Sequence, residues 1–162
     1  MIQMKHTLRL FIALLLVGSF SACKKDNDDD KPKSKTELLT AKNWRMSAET
    51  YSYVDGGRTV TEDAYVDYEP CAKDDFEKYN TDKTLVYDQG PTKCDDTASD
   101  PQTQQVNWDF NSDQSKLILS DPGSALSLSF DIVELTASTL KLQFKGSSNG
   151  INFTYAATYN AF

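Results

Sequence analysis

Histidine is almost missing from this chain: His6 is the only one, and it lies in an N-terminal segment that the reading below removes. Without imidazole there is no Ser-His-Asp or Cys-His activation of a nucleophile and no histidine-ligated zinc or iron site. Positive charge is also scarce, with 17 Lys+Arg against 24 Asp+Glu, a formal charge of −7. Taking Lys5 and Arg9 away with the leader leaves 15 against 24, or −9. Such a surface repels phosphate backbones, and no basic stripe interleaved with aromatics offsets it, so nucleic acid is excluded as a partner. No apolar run reaches the roughly 20 residues that span a bilayer. Cysteine occurs three times, at Cys23, Cys71 and Cys94.

What is present first is a leader. Lys5, His6 and Arg9 precede the apolar run Leu10 to Val17, and small residues follow up to Ala22. A basic start, a short apolar middle and small residues before a cut define a secretory signal, here residues 1–22. Phe20-Ser21-Ala22-Cys23 resembles a bacterial lipobox, with Phe20 where leucine is usual. The resemblance implies that Cys23 is acylated and that the protein is held on a membrane by lipid, each buried CH₂ contributing about 0.8 kcal/mol. The alternative is ordinary signal cleavage, which leaves Cys23 a free thiol in an oxidising compartment. Residues 23–36, with Asp26-Asn27-Asp28-Asp29-Asp30 at their centre, offer nothing apolar to bury and read as a hydrated tether. Lysine and acidic residues directly after the acylated cysteine resemble the surface-export signal of Bacteroidetes lipoproteins. The expected location is therefore the outer membrane, on its periplasmic face or at the cell surface. The aspartate run lacks the glycine turn and distal glutamate of an EF-hand loop.

Residues 37–162 read as one domain. Ser34-Lys35-Thr36-Glu37 has capping-box spacing and predicts a short helical turn leading into Leu38-Leu39. From Trp44 to Val54 the pattern is period two, with Trp44, Met46 and Ala48 on one face and Arg45, Ser47 and Glu49 on the other. Asp55-Gly56-Gly57 is a turn, and Arg58 to Lys73 reads as a long loop with at most a short strand over Thr59 to Thr61. Strands follow over residues 75–79, 84–88, 104–111, 116–120, 126–135, 140–144 and 151–159, separated by turn formers. Val133 and Leu135 break the alternation of Phe130 and Ile132, which marks a bulge. Eight one-faced strands with short connections and no crossover helix predict an all-β, eight-stranded antiparallel up-and-down β-barrel.

At this level the chain resembles the lipocalin-like domain proteins of Bacteroidetes, relatives in fold of the lipocalins and fatty-acid-binding proteins. The resemblance covers about Leu38 to Tyr159. It rests on Leu39-Thr40-Ala41-Lys42-Asn43-Trp44, on Cys71-Ala72-Lys73-Asp74-Asp75, on Gly90-Pro91-Thr92-Lys93-Cys94-Asp95, and on the strands of Trp108 and Val133-Glu134-Leu135. The first stretch is similar to the lipocalin Gly-x-Trp signature, with Ala41 in place of glycine and one more residue before the tryptophan. The resemblance implies a calycin-like barrel, pairing of Cys71 with Cys94, and Trp44 closing one end of the barrel.

The candidate sites are few. Cys71 and Cys94 are the one cysteine pair of the mature domain, and a disulfide there would close a loop across two strands; a metal or redox pair is the alternative, at a spacing unlike Cys-x-x-Cys. Asp74-Asp75 and Asp95-Asp96 could hold calcium or act as acid and base, but neighbours on a strand face opposite ways, and solvated loop charge is the plainer account. Tyr87, Trp108, Phe110, Phe130, Phe144, Phe153 and Tyr155 are the expected interior lining, around either a cavity or a packed core. Tyr51, Tyr53, Tyr65 and Tyr68 form an exposed aromatic patch or cover the barrel mouth. The expected function is non-enzymatic binding of a small apolar or amphipathic ligand in the barrel, with Arg45 or a loop carboxylate orienting its polar end. The alternatives are a packed barrel whose loops contact a protein or glycan, and a carboxylate-based hydrolase. No cofactor or metal is expected, and a monomer is.

Overall fold

The computed structural model describes residues 33–94 and 100–162. The leader, Cys23, the aspartate run and Asp95-Asp96 lie outside the described residues. The first element is α1 (Lys35–Thr40), started by a capping box: Ser34 Oγ accepts from the Glu37 amide at 3.2 Å, and the Glu37 carboxylate accepts from the Ser34 amide at 2.7 Å. Its one buried side chain is Leu39, whose carbonyl accepts the Trp44 Nε1 proton at 2.8 Å.

Nine strands follow: β1 (Asn43–Asp55), β2 (Arg58–Asp63), β3 (Phe76–Tyr79), β4 (Thr84–Asp88), β5 (Thr103–Phe110), β6 (Lys116–Ser120), β7 (Ser127–Leu135), β8 (Thr139–Ser148) and β9 (Ile151–Ala161). Every pairing is antiparallel, and β3 to β8 each pair with the next strand in sequence. Closure comes from β1, which takes β9 along one edge and β3 along the other, so that Trp44 faces both Ala161 and Glu77 in register. The barrel thus has eight staves, β1 and β3 to β9, while β2, paired with β1 alone, keeps one free edge.

The ninth strand corrects the reading of Arg58 to Lys73 as a loop. Gly56 and Gly57 both adopt positive φ (54° and 79°), the geometry of a tight hairpin turn, and β2 folds back along the outer half of β1 from Asp55↔Arg58 to Thr50↔Asp63. β2 pairs with β1 alone and all its residues but Val60 are exposed, so its polar side chains meet solvent and leave no apolar alternation to read. A 3-10 turn (Tyr65–Asp67) and α2 (Pro70–Lys73) complete the segment.

Two bulges set which side chains face inward. In β7 the register shifts between Ile132 and Glu134, leaving Val133 exposed, as the apolar pattern predicts. In β1 it shifts between Met46 and Ala48. That second shift turns the later half of β1 over, so Glu49, expected on the outer face, is only 6% exposed.

The end of the barrel nearest α1 is solid. Leu39, Trp44, Tyr79, Leu85, Trp108, Leu117 and Leu140 have essentially no exposed surface, and the Tyr79, Trp108 and Phe110 rings pack edge to face. The other end is built from connections. A disulfide between Cys71, in α2, and Cys94, in the β4–β5 connection, ties two of them together. Gly90 has φ +64° and lies so near the Asp74 backbone that a β-carbon would sit 2.5 Å from its carbonyl oxygen.

Candidate functional site

The half of the barrel away from α1 is hollow, with a cavity of about 360 Å³. β1 contributes Trp44 and Met46 to its wall, β3 Glu77, β4 Tyr87, β5 Gln104 and β9 Tyr159, while Tyr68, Ala72 and Asp75 reach it from the segment joining β2 to β3. A second cavity of about 360 Å³ opens beside the first, walled by Tyr87, Val106, Leu119, Leu126 and Leu128. Tyr87 touches both. The two differ in character: Val106 of β5 and Leu119 of β6 are half-buried there with Leu126 and Leu128 exposed at the rim, whereas β3 turns in a carboxylate.

That carboxylate, Glu77, stands between Trp44 on β1 and Tyr87 on β4, its two register partners. The Tyr79 hydroxyl donates to it at 2.7 Å, and the Tyr159 hydroxyl hydrogen-bonds to it as well. Enclosure by protein pushes the Glu77 carboxyl up to about 7, although the two tyrosine donors act the other way. Burial and the nearby carboxylate push the Tyr79, Tyr87 and Tyr159 hydroxyls upward, so these rings stay neutral hydrogen-bond donors. Glu49 forms a second buried carboxylate centre. Tyr68 donates to it, and Tyr51 and Tyr155 hydrogen-bond to it, with the Tyr51 and Tyr155 rings tilted against each other at 5.3 Å. Among the described residues no lysine or arginine forms an ion pair with either glutamate; the ion pairs present join Lys83 to Asp109, Lys93 to Asp100, Lys116 to Asp131 and Lys141 to Glu134.

The expected lining residues divide between the two halves. Tyr87 walls both cavities, and Trp44, expected to close the barrel, also forms part of the first cavity's wall. Trp108 and Phe110 belong to the packed half, where Trp108 Nε1 donates to the Asn80 carbonyl at 3.1 Å, so they line neither cavity. Phe130, Phe144 and Tyr155 form a run of tilted ring contacts in the interior, and Phe153 sits against Gly146 beside an outer groove with Tyr53 and Asn152. Arg45, considered as a polar anchor, points outward and lies 4.2 Å over the Phe162 ring. Tyr68 reaches inward over the mouth, while Tyr53 donates to Glu62 at 2.7 Å on the outer hairpin.

Asp74 does not pair with Asp75 as a site: its carboxylate accepts from Thr92, holding two mouth connections together. Among the described residues no three His, Cys, Asp or Glu side chains converge to hold a metal ion. Sequence reasoning missed Glu77 and Glu49. Glu77 was within reach, because it alternates with Tyr79 on a strand whose buried face is set by that tyrosine. Glu49 was not, since the bulge that turns it inward leaves no apolar mark.

No family model and no curated protein matches the chain. Among solved structures, the fold is similar to a lipocalin-like protein from Bacteroides uniformis ATCC 8492, with 14% identity over 77% of this chain and 99% of that one and a TM-score of 0.43. It is also similar to bovine odorant binding protein in complex with a selenium-containing odorant, with 10% identity over 82% of this chain and 76% of that one and a TM-score of 0.40. The chain's own strand pairing defines it as an eight-stranded, closed antiparallel β-barrel.

Proposed function

We propose that this protein is a lipid-anchored, non-enzymatic binding protein of the outer membrane that takes a small apolar or amphipathic molecule into the mouth of its barrel. The observation that carries the reading is the division of the interior: a packed half that excludes water, and a hollow half with room for a small ligand between aromatic and aliphatic walls. Burial of apolar ligand surface would supply the affinity at about 25 cal/mol per Å² before the costs of association. The absence of histidine from the mature chain removes the commonest routes to nucleophilic catalysis, and the tyrosines at the cavity are held neutral. Lipobox-like residues ending at Cys23 support the anchor.

The competing reading, a solid barrel whose loops contact a protein or glycan, needs a filled interior, and the open half speaks against it. The test is native mass spectrometry of gently extracted protein, together with displacement of a lipophilic dye from the mature chain carrying Cys23→Ser. A bound small molecule or saturable dye binding is expected. Neither being seen would remove the proposal.

A further inference from the structure

Resting on that reading, we infer that the ligand class is an organic cation: a protonated amine or quaternary ammonium on an apolar body, its charge seated at Glu77 and its body in the apolar groove beyond Tyr87. Three features of the interior converge on this chemistry. First, Glu77 and Glu49 are carboxylates inside a barrel to which no lysine or arginine among the described residues brings a counter-charge. A buried charge is held either by a partner ion or by taking up a proton, and Glu77, which stands on the cavity wall, is the one a ligand's charge can reach. Second, the groups around Glu77 suit a cation rather than an anion. Trp44 and Tyr87 flank it in register, and Tyr159 lies on the same wall, so it is surrounded by aromatic rings, the side chains that attract ammonium groups. Third, the neighbouring space is an apolar groove lined by Val106 and Leu119 with Leu126 and Leu128 exposed at its rim, and Tyr87 is common to both spaces, so a molecule with one charged end and one apolar end can occupy the two together.

The surroundings reinforce the sign. Asp75 lies on the cavity wall, its carboxyl raised first by burial and then by Asp74, Asp88 and Asp100 nearby. Tyr68, another wall residue, is the donor to Glu49, so the second buried carboxylate lies one hydroxyl behind the cavity surface. A carboxylate ligand would meet only like charge here, at a cost that grows as water is excluded. Because the Glu77 carboxyl is raised to about 7, an arriving cation displaces a proton from it near neutrality. The titratable groups facing Glu77 are Tyr79 from its own strand, Tyr87 from β4 and Tyr159 from β9, all held protonated at that pH.

The test uses the full mature chain with Cys23→Ser and intact disulfide, and four probes of equal chain length: octylammonium, octyltrimethylammonium, octanol and octanoate. Calorimetry should show both cations binding about tenfold or more tighter than octanol, with octanoate weakest, and the cation preference widening from about pH 6 to about pH 8. Glu77→Gln should shrink the cation-to-octanol ratio about tenfold. Octylammonium binding near neutral pH, measured in two buffers of different ionisation enthalpy, should release protons where octanol releases none; this arm stands even if the variant fails to fold. Equal affinity for octanol, octanoate and the cations would overturn the inference and leave the proposed function intact. Binding of none of the four would overturn both.

Discussion

Glu77 ties the stability of the barrel to pH in the opposite sense from an ordinary surface carboxylate. Burial lifts its carboxyl from 4.5 to about 7, so between those values the folded chain holds a proton that the unfolded chain has already released. Its contribution is therefore greatest below the unfolded value and is lost as the pH rises through 7, by up to roughly 3 kcal/mol. We expect the melting temperature to fall between about pH 5 and about pH 8, and Glu77→Gln to flatten that fall. Parallel profiles for the two proteins would show that Glu77 is not the group responsible. Trp44 poses a different question, since it has no exposed surface and its Nε1 proton is held by the Leu39 carbonyl. Trp44→Ala should cost roughly 3–5 kcal/mol in urea denaturation, while Trp44→Phe should cost less, keeping most of the ring and leaving the Leu39 carbonyl unpaired. The tryptophan's inward face was legible in the period-two pattern of its strand; its part in the cavity wall was not, because that depends on how deep the packed half extends.

Among the elements, the connections at the open end bear most directly on binding. α2 and the β4–β5 connection are joined by Cys71–Cys94 and by the Thr92 hydroxyl on Asp74, and both contribute residues to the cavity wall. Replacing both cysteines by serine should lower stability by about 3 kcal/mol through the freer unfolded chain. It should also speed hydrogen exchange at the mouth while leaving the strands beside α1 protected. Uniform acceleration over the whole barrel would mean that the disulfide supports the fold and not the mouth in particular. The two bulges show why one irregularity was legible and the other was not. In β7 the apolar residues themselves change parity at Val133, so the shift is written in hydrophobicity. In β1 the shift falls before Glu49, Tyr51 and Tyr53, polar or amphipathic residues that are equally acceptable on an outer face, and period-two reading carries straight through it.

For the whole molecule the open matter is where the barrel is held. If Cys23 is acylated, cells fed labelled palmitate should mark the protein and retain it with the membrane fraction, whereas Cys23→Ser should be unlabelled and soluble. Equal distribution of the two would point to ordinary secretion instead. Surface display, as against the periplasmic face, is checked by protease added to intact cells, and acylated protein that is shielded until the outer membrane is opened would place it inside.

By itself the chain's order of residues determined the eight staves and their antiparallel sequence, because alternation, turn formers and a single apolar face per strand act over short distances and leave few ways to bury that face. It also placed the one histidine, His6, ahead of the barrel's residues. Only the closed structure decided which end is packed and which stays open, that β2 pairs along β1, and that two carboxylates turn inward under tyrosines. Those features depend on strand register and on which side chains meet across the barrel, and such meetings between distant residues leave no local pattern in the chain.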